Sequence, residues 1–361
     1  MSTPREDTEI LVVGAGLAGL RLASRLYAAG RDVVLLEARH RVGGRILSPD
    51  IKGQAYDLGP SWFWPGQPRM AALAASLGIA VFEQFAEGTL AYEDATGAVR
   101  RDLTMAPMAG SLRLAGGVGE LTDQLAAALP EGCLHCGTLV SDLAYADGRI
   151  RASGTDDSGP WQINADRVAL ALPPRLVEAT IRFAPALTAD AKSAMQSVPT
   201  WMAGQAKLVA IYERPFWRDA GLSGDAMSQR GPLAEIHDAS PADGRTGALF
   251  GFVGVPAAAR RGKADLVKTA AVEQLVALFG SDAAMPVDVI LQDWAEEPLT
   301  AVAADDVLPN GHPRYGMPAA LRGLWGGRLI FASSEIGTEF GGFLEGALEA
   351  ADAAADLLID P

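Results

Sequence analysis

The sequence predicts an α/β fold, in which a largely parallel sheet covered by helices is interrupted by a second, sheet-rich α+β domain. Three observations predict it. The chain opens on a strand that passes through closely spaced glycines into a helix. Strand-like and helical runs then alternate, and the stretch Lys207–Trp294 departs from that alternation with long strands, the turn signal Asp243-Gly244 and one internal helix. Strand-like runs fall at Glu9–Val13, Asp32–Glu37, Thr138–Leu143, Arg167–Leu172, Lys207–Tyr212, Ala248–Val255, Val287–Trp294 and Arg328–Ala332. Helical periodicity marks Leu17–Ala29, Gly119–Leu129, Leu266–Phe279 and Leu344–Leu358. In the third of these, Leu266, Ala270, Leu275 and Phe279 share a face and Gly280 supplies the stop. No Pro/Gly linker splits the chain, so one domain is expected to be inserted in the other. Residues 1-80, 106-196 and 296-361 would form the nucleotide-binding domain, and 81-105 with 197-295 the inserted one.

Composition bounds the function. The 361 residues suffice for two domains, and 49% apolar against 20% charged residues exclude a disordered or fibrous chain. Apolar runs stop short of a membrane span, Met1–Thr8 is polar without a signal-peptide core, and two cysteines exclude a disulfide scaffold. A cytoplasmic protein with no membrane partner is expected. The net charge of −14 disfavours nucleic acid and favours cationic small molecules through long-range attraction. Cys133-Leu134-His135-Cys136 has CxxC spacing, but the other histidines, His40, His237 and His312, are scattered, so no metal site is expected. The acid pairs Glu296-Glu297 and Asp305-Asp306 read as solvated loop charges, with a cationic pocket rim as the alternative.

The sharpest signal is Gly14-Ala15-Gly16-Leu17-Ala18-Gly19 between the first strand and helix. Gly14 suits a tight turn, Gly16 a close approach of pyrophosphate to backbone, and Gly19 close packing of helix on strand. The helix N-terminus offers unpaired N–H groups to phosphate. Glu37, at the end of the second strand, is placed to accept ribose hydroxyls and to repel a 2′-phosphate. The arrangement is Rossmann-like. Beyond it, Gly43-Gly44-Arg45 supplies a second bare backbone approach and a cation for the pyrophosphate. A dehydrogenase using NAD would need the first motif and leave this second one unexplained.

From Leu36 to Arg45, with Asp57-Leu58-Gly59-Pro60-Ser61-Trp62, the chain resembles the flavin-containing amine oxidases of the monoamine and polyamine oxidase type. The resemblance continues at Arg113–Gly117, Val168–Pro174, Lys207–Trp217, Trp294, Phe331–Glu335 and Gly342–Ala347. It implies an FAD-binding domain. The pyrophosphate would lie over Gly14, Ala15, Gly16, Ala18 and Gly19, with Glu37, Ala38, Arg39, Gly43, Gly44 and Arg45 around the ribose and phosphates. Val140 would read the adenine edge, Gly59, Pro60, Ser61 and Trp62 would run along the flavin ring, and Glu335, Gly342, Phe343 and Leu344 would close its other side. Gly341-Gly342 precede the last helix, whose positive end suits negative charge on the ring.

Lys207 is the expected catalytic residue. Its apolar run would bury it and lower its pKa, although an edge-strand lysine reaching solvent fits the same residues. In the resembled family this lysine holds a water against the flavin and assists the reaction with dioxygen. Phe343 matches one ring of the pair that sandwiches the amine, and Trp64 and Trp294 complete the expected substrate pocket. The second ring's place falls at Ala303 or Ala304. Some members tether the flavin through a cysteine there, so non-covalent FAD is expected. Trp62, Phe63 and Trp201 are further sources of rings. The segment between Arg69 and Arg113 is short for the family, which implies a smaller lid. The implied reaction is oxidation of a primary or secondary amine to an imine and then a carbonyl, with O2 reduced to H2O2. A flavin dehydrogenase or desaturase acting on a non-amine, and a non-catalytic flavin-binding protein, remain alternatives.

Overall fold

The computed structural model describes residues 6–307 and 309–359, so the start of Met1–Thr8 and the outer ends of ranges 1-80 and 296-361 lie outside the described residues. The elements that concern the site are, in chain order, β1 (Asp7–Val13), α1 (Leu17–Ala28), β2 (Val33–Leu36), α2 (Pro68–Ser76), β3 (Thr89–Glu93), β4 (Val99–Leu103) and α3 (Gly119–Ala127). There follow β5 (Leu134–His135), β6 (Leu139–Ala146), β7 (Arg149–Asp156), β8 (Gly159–Leu170), β9 (Arg182–Ala184), β10 (Ala206–Tyr212), β11 (Leu222–Ser228), β12 (Leu233–Asp238), β13 (Gly247–Val253), α4 (Ala264–Phe279), β14 (Asp288–Asp293), β15 (Leu329–Phe331) and α5 (Leu344–Ile359).

The first large sheet runs β9-β6-β7-β8-β1-β2-β5, with β15 beside β8. Its centre is parallel, and Ile10–Val13 of β1 and all of β2 are apolar because both faces are covered. Ile10, Val12 and Leu35 pack with residues of α1, α3 and α5, while Leu11, Val13, Val34 and Leu36 join the opposite core. The sheet is more mixed than expected. β6, β7 and β8 form an antiparallel meander, and β8 starts at Gly159, well before the expected Arg167. Its outer half alternates exposed and buried residues, a pattern too polar to stand out as a buried strand.

The second sheet runs β14-β10-β13-β12-β11-β3-β4 and is antiparallel except between β11 and β3. Strand parity gives its faces different partners. Ala206, Leu208, Ala210 and Tyr212 join a core with α4, whereas Val209 and Ile211 pack on the other face with Tyr56, Leu58 and Phe250. The expected face of α4 holds at Leu275 and Phe279 and is corrected in its first half: Leu266 is 68% exposed and Ala270 half-buried, while Val267 and Ala271 are buried. Apolar residues surround this helix, so periodicity alone does not fix its rotation. Among the described residues no helix is long and apolar enough to cross a membrane.

Candidate active site

A cleft of about 450 Å³ lies between the two sheets. At one end are the glycine turns. Gly14 takes φ +101° after β1, and a Cβ on Gly19 would fall 1.8 Å from the Gly14 carbonyl oxygen, so only a bare Cα lets α1 sit this close. A Cβ on Gly16 would meet nothing nearer than 3.8 Å, and the residue lines the cleft as exposed backbone. Gly43 and Gly44, both at positive φ, lie against this turn, with the Gly43 N–H donating to Ala15 O at 2.8 Å. Buried Glu37 accepts from the Ala15 and Arg39 N–H groups at 2.8 and 2.9 Å and still lines the cleft. It therefore clamps the turn it serves.

Arg45 crosses to the C-terminal block. It pairs bidentately with fully buried Glu335 at 2.6 and 3.1 Å and donates to Ser334 Oγ and Trp201 O. Burial disfavours the Glu335 carboxylate, but Arg45 outweighs it and holds that pKa below the ordinary value. Gly342, Phe343 and Leu344 bring the N-terminus of α5 to the wall. Glu345 points away and accepts from the Arg69 and Met70 N–H groups at 3.0 and 2.8 Å, capping α2.

The sheet supplies the third side. Lys207, Phe252 and Glu235 pair across β10, β13 and β12, so one row places all three on the cleft wall, with the lysine and glutamate Cα atoms about 10 Å apart. Lys207 is 3% exposed and does not reach solvent. Its Nζ donates to Ser61 Oγ at 2.6 Å and Gly59 O at 3.1 Å, 3.9 Å from the Phe250 ring centroid. Burial lowers its pKa to about 7, opposed by the Asp57 carboxylate. Trp294 donates to Leu58 O and pins the segment that presents Gly59–Trp62.

Aromatic rings gather in front. Trp64 and Trp201 lie 6.3 and 6.4 Å from Phe343, and His312 stacks on Phe343 at 4.7 Å with 10° between planes. Ala303 and Ala304 sit in a short turn, and Trp201 lines the cleft. Trp64 remains 36% exposed and the Glu235 side chain 42%, so the cleft is reachable from solvent.

Of the expected residues, Gly14, Gly16, Ala18, Glu37, Ala38, Arg39, Gly43, Gly44, Arg45, Gly59, Pro60, Ser61, Trp62, Val140, Gly342, Phe343, Leu344, Lys207, Trp64 and Trp294 line this one cleft. Ala15, Gly19 and Glu335 lie behind its wall, where they hold Glu37, α1 and Arg45. Sequence reasoning passed over Glu235, Thr138 and Ser333. Nothing local marked Glu235, which reaches the cleft through strand register. Two acids read as solvated are corrected. Asp305 is buried on Arg175 at 2.7 Å, and Glu297 pairs with Arg39 at 3.3 Å, because loop acids beside arginines fold inward to meet them. Cys133 and Cys136 form no disulfide among the described residues.

The wall suits a dinucleotide flavin: two bare glycine turns face each other, and the buried Ser333 Oγ has no hydrogen-bond partner among the described residues. Comparison with known proteins agrees. Residues 17–101 and 82–359 match the sequence profile of the flavin containing amine oxidoreductases. Putrescine oxidase of Kocuria rosea is 26% identical over 459 aligned positions, covering 95% of this chain and 93% of that protein. Pig flavin-containing amine oxidase B is 25% identical, covering 96% and 85%. A solved putrescine oxidase bound to putrescine superposes with a TM-score of 0.82 at 22% identity, covering 98% and 99% of the chains.

Proposed function

Because the chain belongs to the flavin-containing amine oxidoreductases and is thereby an FAD enzyme acting on amines, we propose that it oxidises a primary or secondary amine to an imine, which water hydrolyses to the carbonyl, while dioxygen is reduced to hydrogen peroxide. FAD supplies the two-electron chemistry when bound. In this reading it is held non-covalently, the Gly14–Gly19 and Gly43–Arg45 backbones receiving its phosphates, Glu37 its ribose, Val140 its adenine, and Gly59–Trp62 with Gly342–Leu344 its ring. Residues 1-80, 106-196 and 296-361 form the FAD-binding domain, and 81-105 with 197-295 the substrate domain. A cytoplasmic setting, where cysteines stay reduced, belongs to the same reading.

The observation that carries the proposal is the buried Lys207 facing the cleft in one row with Glu235. Lys207 is fixed by Ser61 and Gly59 and keeps a polar group where dioxygen and water would meet the reacting centre. Its pKa near 7 lets it hold or release a proton under working conditions. Trp64, Trp201 and Phe343 exclude water and orient the amine. At the other end of the row, Glu235 is a carboxylate acceptor held below its ordinary pKa by its hydrogen bond to His237. That spacing supports a substrate with a second cationic group, and the Kocuria relative is named for a diamine. The alignment with that relative runs well beyond 361 positions, so the relative carries segments that this chain lacks, and we place one of them in the lid between Arg69 and Arg113.

The test is anaerobic mixing with putrescine and other amines, followed by admission of oxygen. Loss of flavin absorbance on mixing and release of peroxide on oxygenation are expected. Protein that is colourless and takes up no FAD overturns the reading, and bleaching without peroxide replaces dioxygen with another acceptor.

A further inference from the structure

His237 sits behind the cleft wall, two residues from Glu235 on the same face of β12, and is 1% exposed. Its Nδ1 lies 2.8 Å from Asp225 Oδ1 and its Nε2 lies 2.8 Å from Glu235 Oε1. A neutral imidazole has one N–H and cannot donate to both carboxylates, so this geometry calls for the imidazolium. Asp225 is itself buried, and its Oδ2 has no hydrogen-bond partner among the described residues, so its charge is compensated through the ring. Trp62 meets the ring edge-on at 5.1 Å and Phe250 packs at 5.4 Å, which fixes its plane and keeps water out.

Other charges nearby do not replace it. Lys207 on β10 lies across the Phe250 ring, and Arg113 bonds the Ala239 and Ser240 carbonyls. Asp238, the next residue on β12, is engaged by Trp217 and Arg218. Burial opposes protonation of His237, but the hydrogen bonds and charges of Asp225 and Glu235 outweigh it and raise its pKa.

We propose that His237, clamped between Asp225 and Glu235, is a positioning residue that fixes the Glu235 carboxylate for the remote cation of the substrate, one oxygen taken by the ring and the other left as acceptor. The proposal rests on the reading of Glu235 given above. It makes recognition of the second cation pH-dependent. As pH rises through the raised pKa of His237 the ring loses a proton, one carboxylate contact turns repulsive, and Glu235 is no longer held.

The test compares putrescine with n-butylamine, of equal carbon chain and one amine, on the holoenzyme. His237→Gln is expected to lower the putrescine-to-butylamine ratio of kcat/KM about tenfold, with the loss in KM rather than kcat. Glu235→Gln lowers the same ratio. The wild-type ratio declines as pH rises through the ring's titration, and that limb is absent in His237→Gln. Nitrogen NMR of the histidines in the holoenzyme at about pH 7 shows both nitrogens of His237 protonated, and Asp225→Asn returns it toward the neutral form. An unchanged ratio in His237→Gln beside a lowered one in Glu235→Gln overturns the role of His237 and leaves Glu235 standing. An unchanged ratio in Glu235→Gln overturns the reading of Glu235 itself. A neutral ring in the wild-type spectrum overturns the proposal even if the glutamine variant does not fold.

Discussion

Lys207 shows how the surroundings of one side chain set its affinity for a proton. Strand parity points it away from the α4 core, and Ser61, Gly59 and the Phe250 face give its ammonium partners without supplying a paired carboxylate. Burial then brings its pKa to about 7. Lys207→Met should retain FAD, seen as unchanged visible absorbance per protein, and slow flavin reoxidation about ten- to hundredfold, the value of one charge-assisted hydrogen bond. If the ammonium form assists, the wild-type reoxidation rate falls as pH rises through about 7, and the methionine variant shows no such inflection. Oxygen kinetics identical in the two proteins would remove Lys207 from the reaction. Arg45 and Glu335 illustrate the opposite outcome, since a part-buried cation and a fully buried acid satisfy one another and tie the Gly43–Arg45 turn to the C-terminal block.

At the scale of elements, the site depends on how closely a few segments approach. Gly19 and Gly16 share one motif and differ in what surrounds them. Gly19→Ala drives a methyl into the Gly14 carbonyl and should cost about 1–3 kcal/mol, measured as a lowered thermal midpoint of the apoprotein. Gly16→Ala has room for its methyl within the fold but places it on the cleft wall, so apoprotein stability should hold while FAD affinity falls. Equal apoprotein midpoints for the two variants would contradict this division. The cap that α5 gives α2 is a second such joint. Glu345→Ala leaves the N–H groups of Arg69 and Met70 without their acceptor and should destabilise the holoenzyme by about 1–3 kcal/mol, read as a lowered denaturant midpoint.

For the whole molecule, the net charge of −14 surrounds a cleft whose wall carries a half-exposed glutamate. Raising salt from about 10 mM to about 0.5 M should lower kcat/KM for a diamine several-fold and for a monocation less, because screening shortens the reach of the field. Equal salt dependence for both substrates would assign no steering to the second charge. The α/β class, the opening Gly14–Gly19 turn, Glu37 and the second glycine pair were legible because each depends on local chain chemistry: backbone without Cβ, an acid at a strand end. Lys207 was singled out by the family resemblance, since its apolar run alone fits an edge-strand lysine equally well. The rotation of α4, the meander β6–β8, the burial of Asp305, and the meeting of Trp201 and His312 at Phe343 were not legible, because each depends on which distant surface a segment meets. Glu235 is the clearest case. It reaches the cleft through the register of three strands, and nothing within its own strand states that Phe252 will stand between it and Lys207. The sequence by itself determined the fold class and a dinucleotide-binding turn, and its resemblance to the flavin-containing amine oxidases named the cofactor. Only the tertiary structure decided which carboxylate and which rings face Lys207, since cross-strand register and side-chain packing are set between segments far apart in the chain.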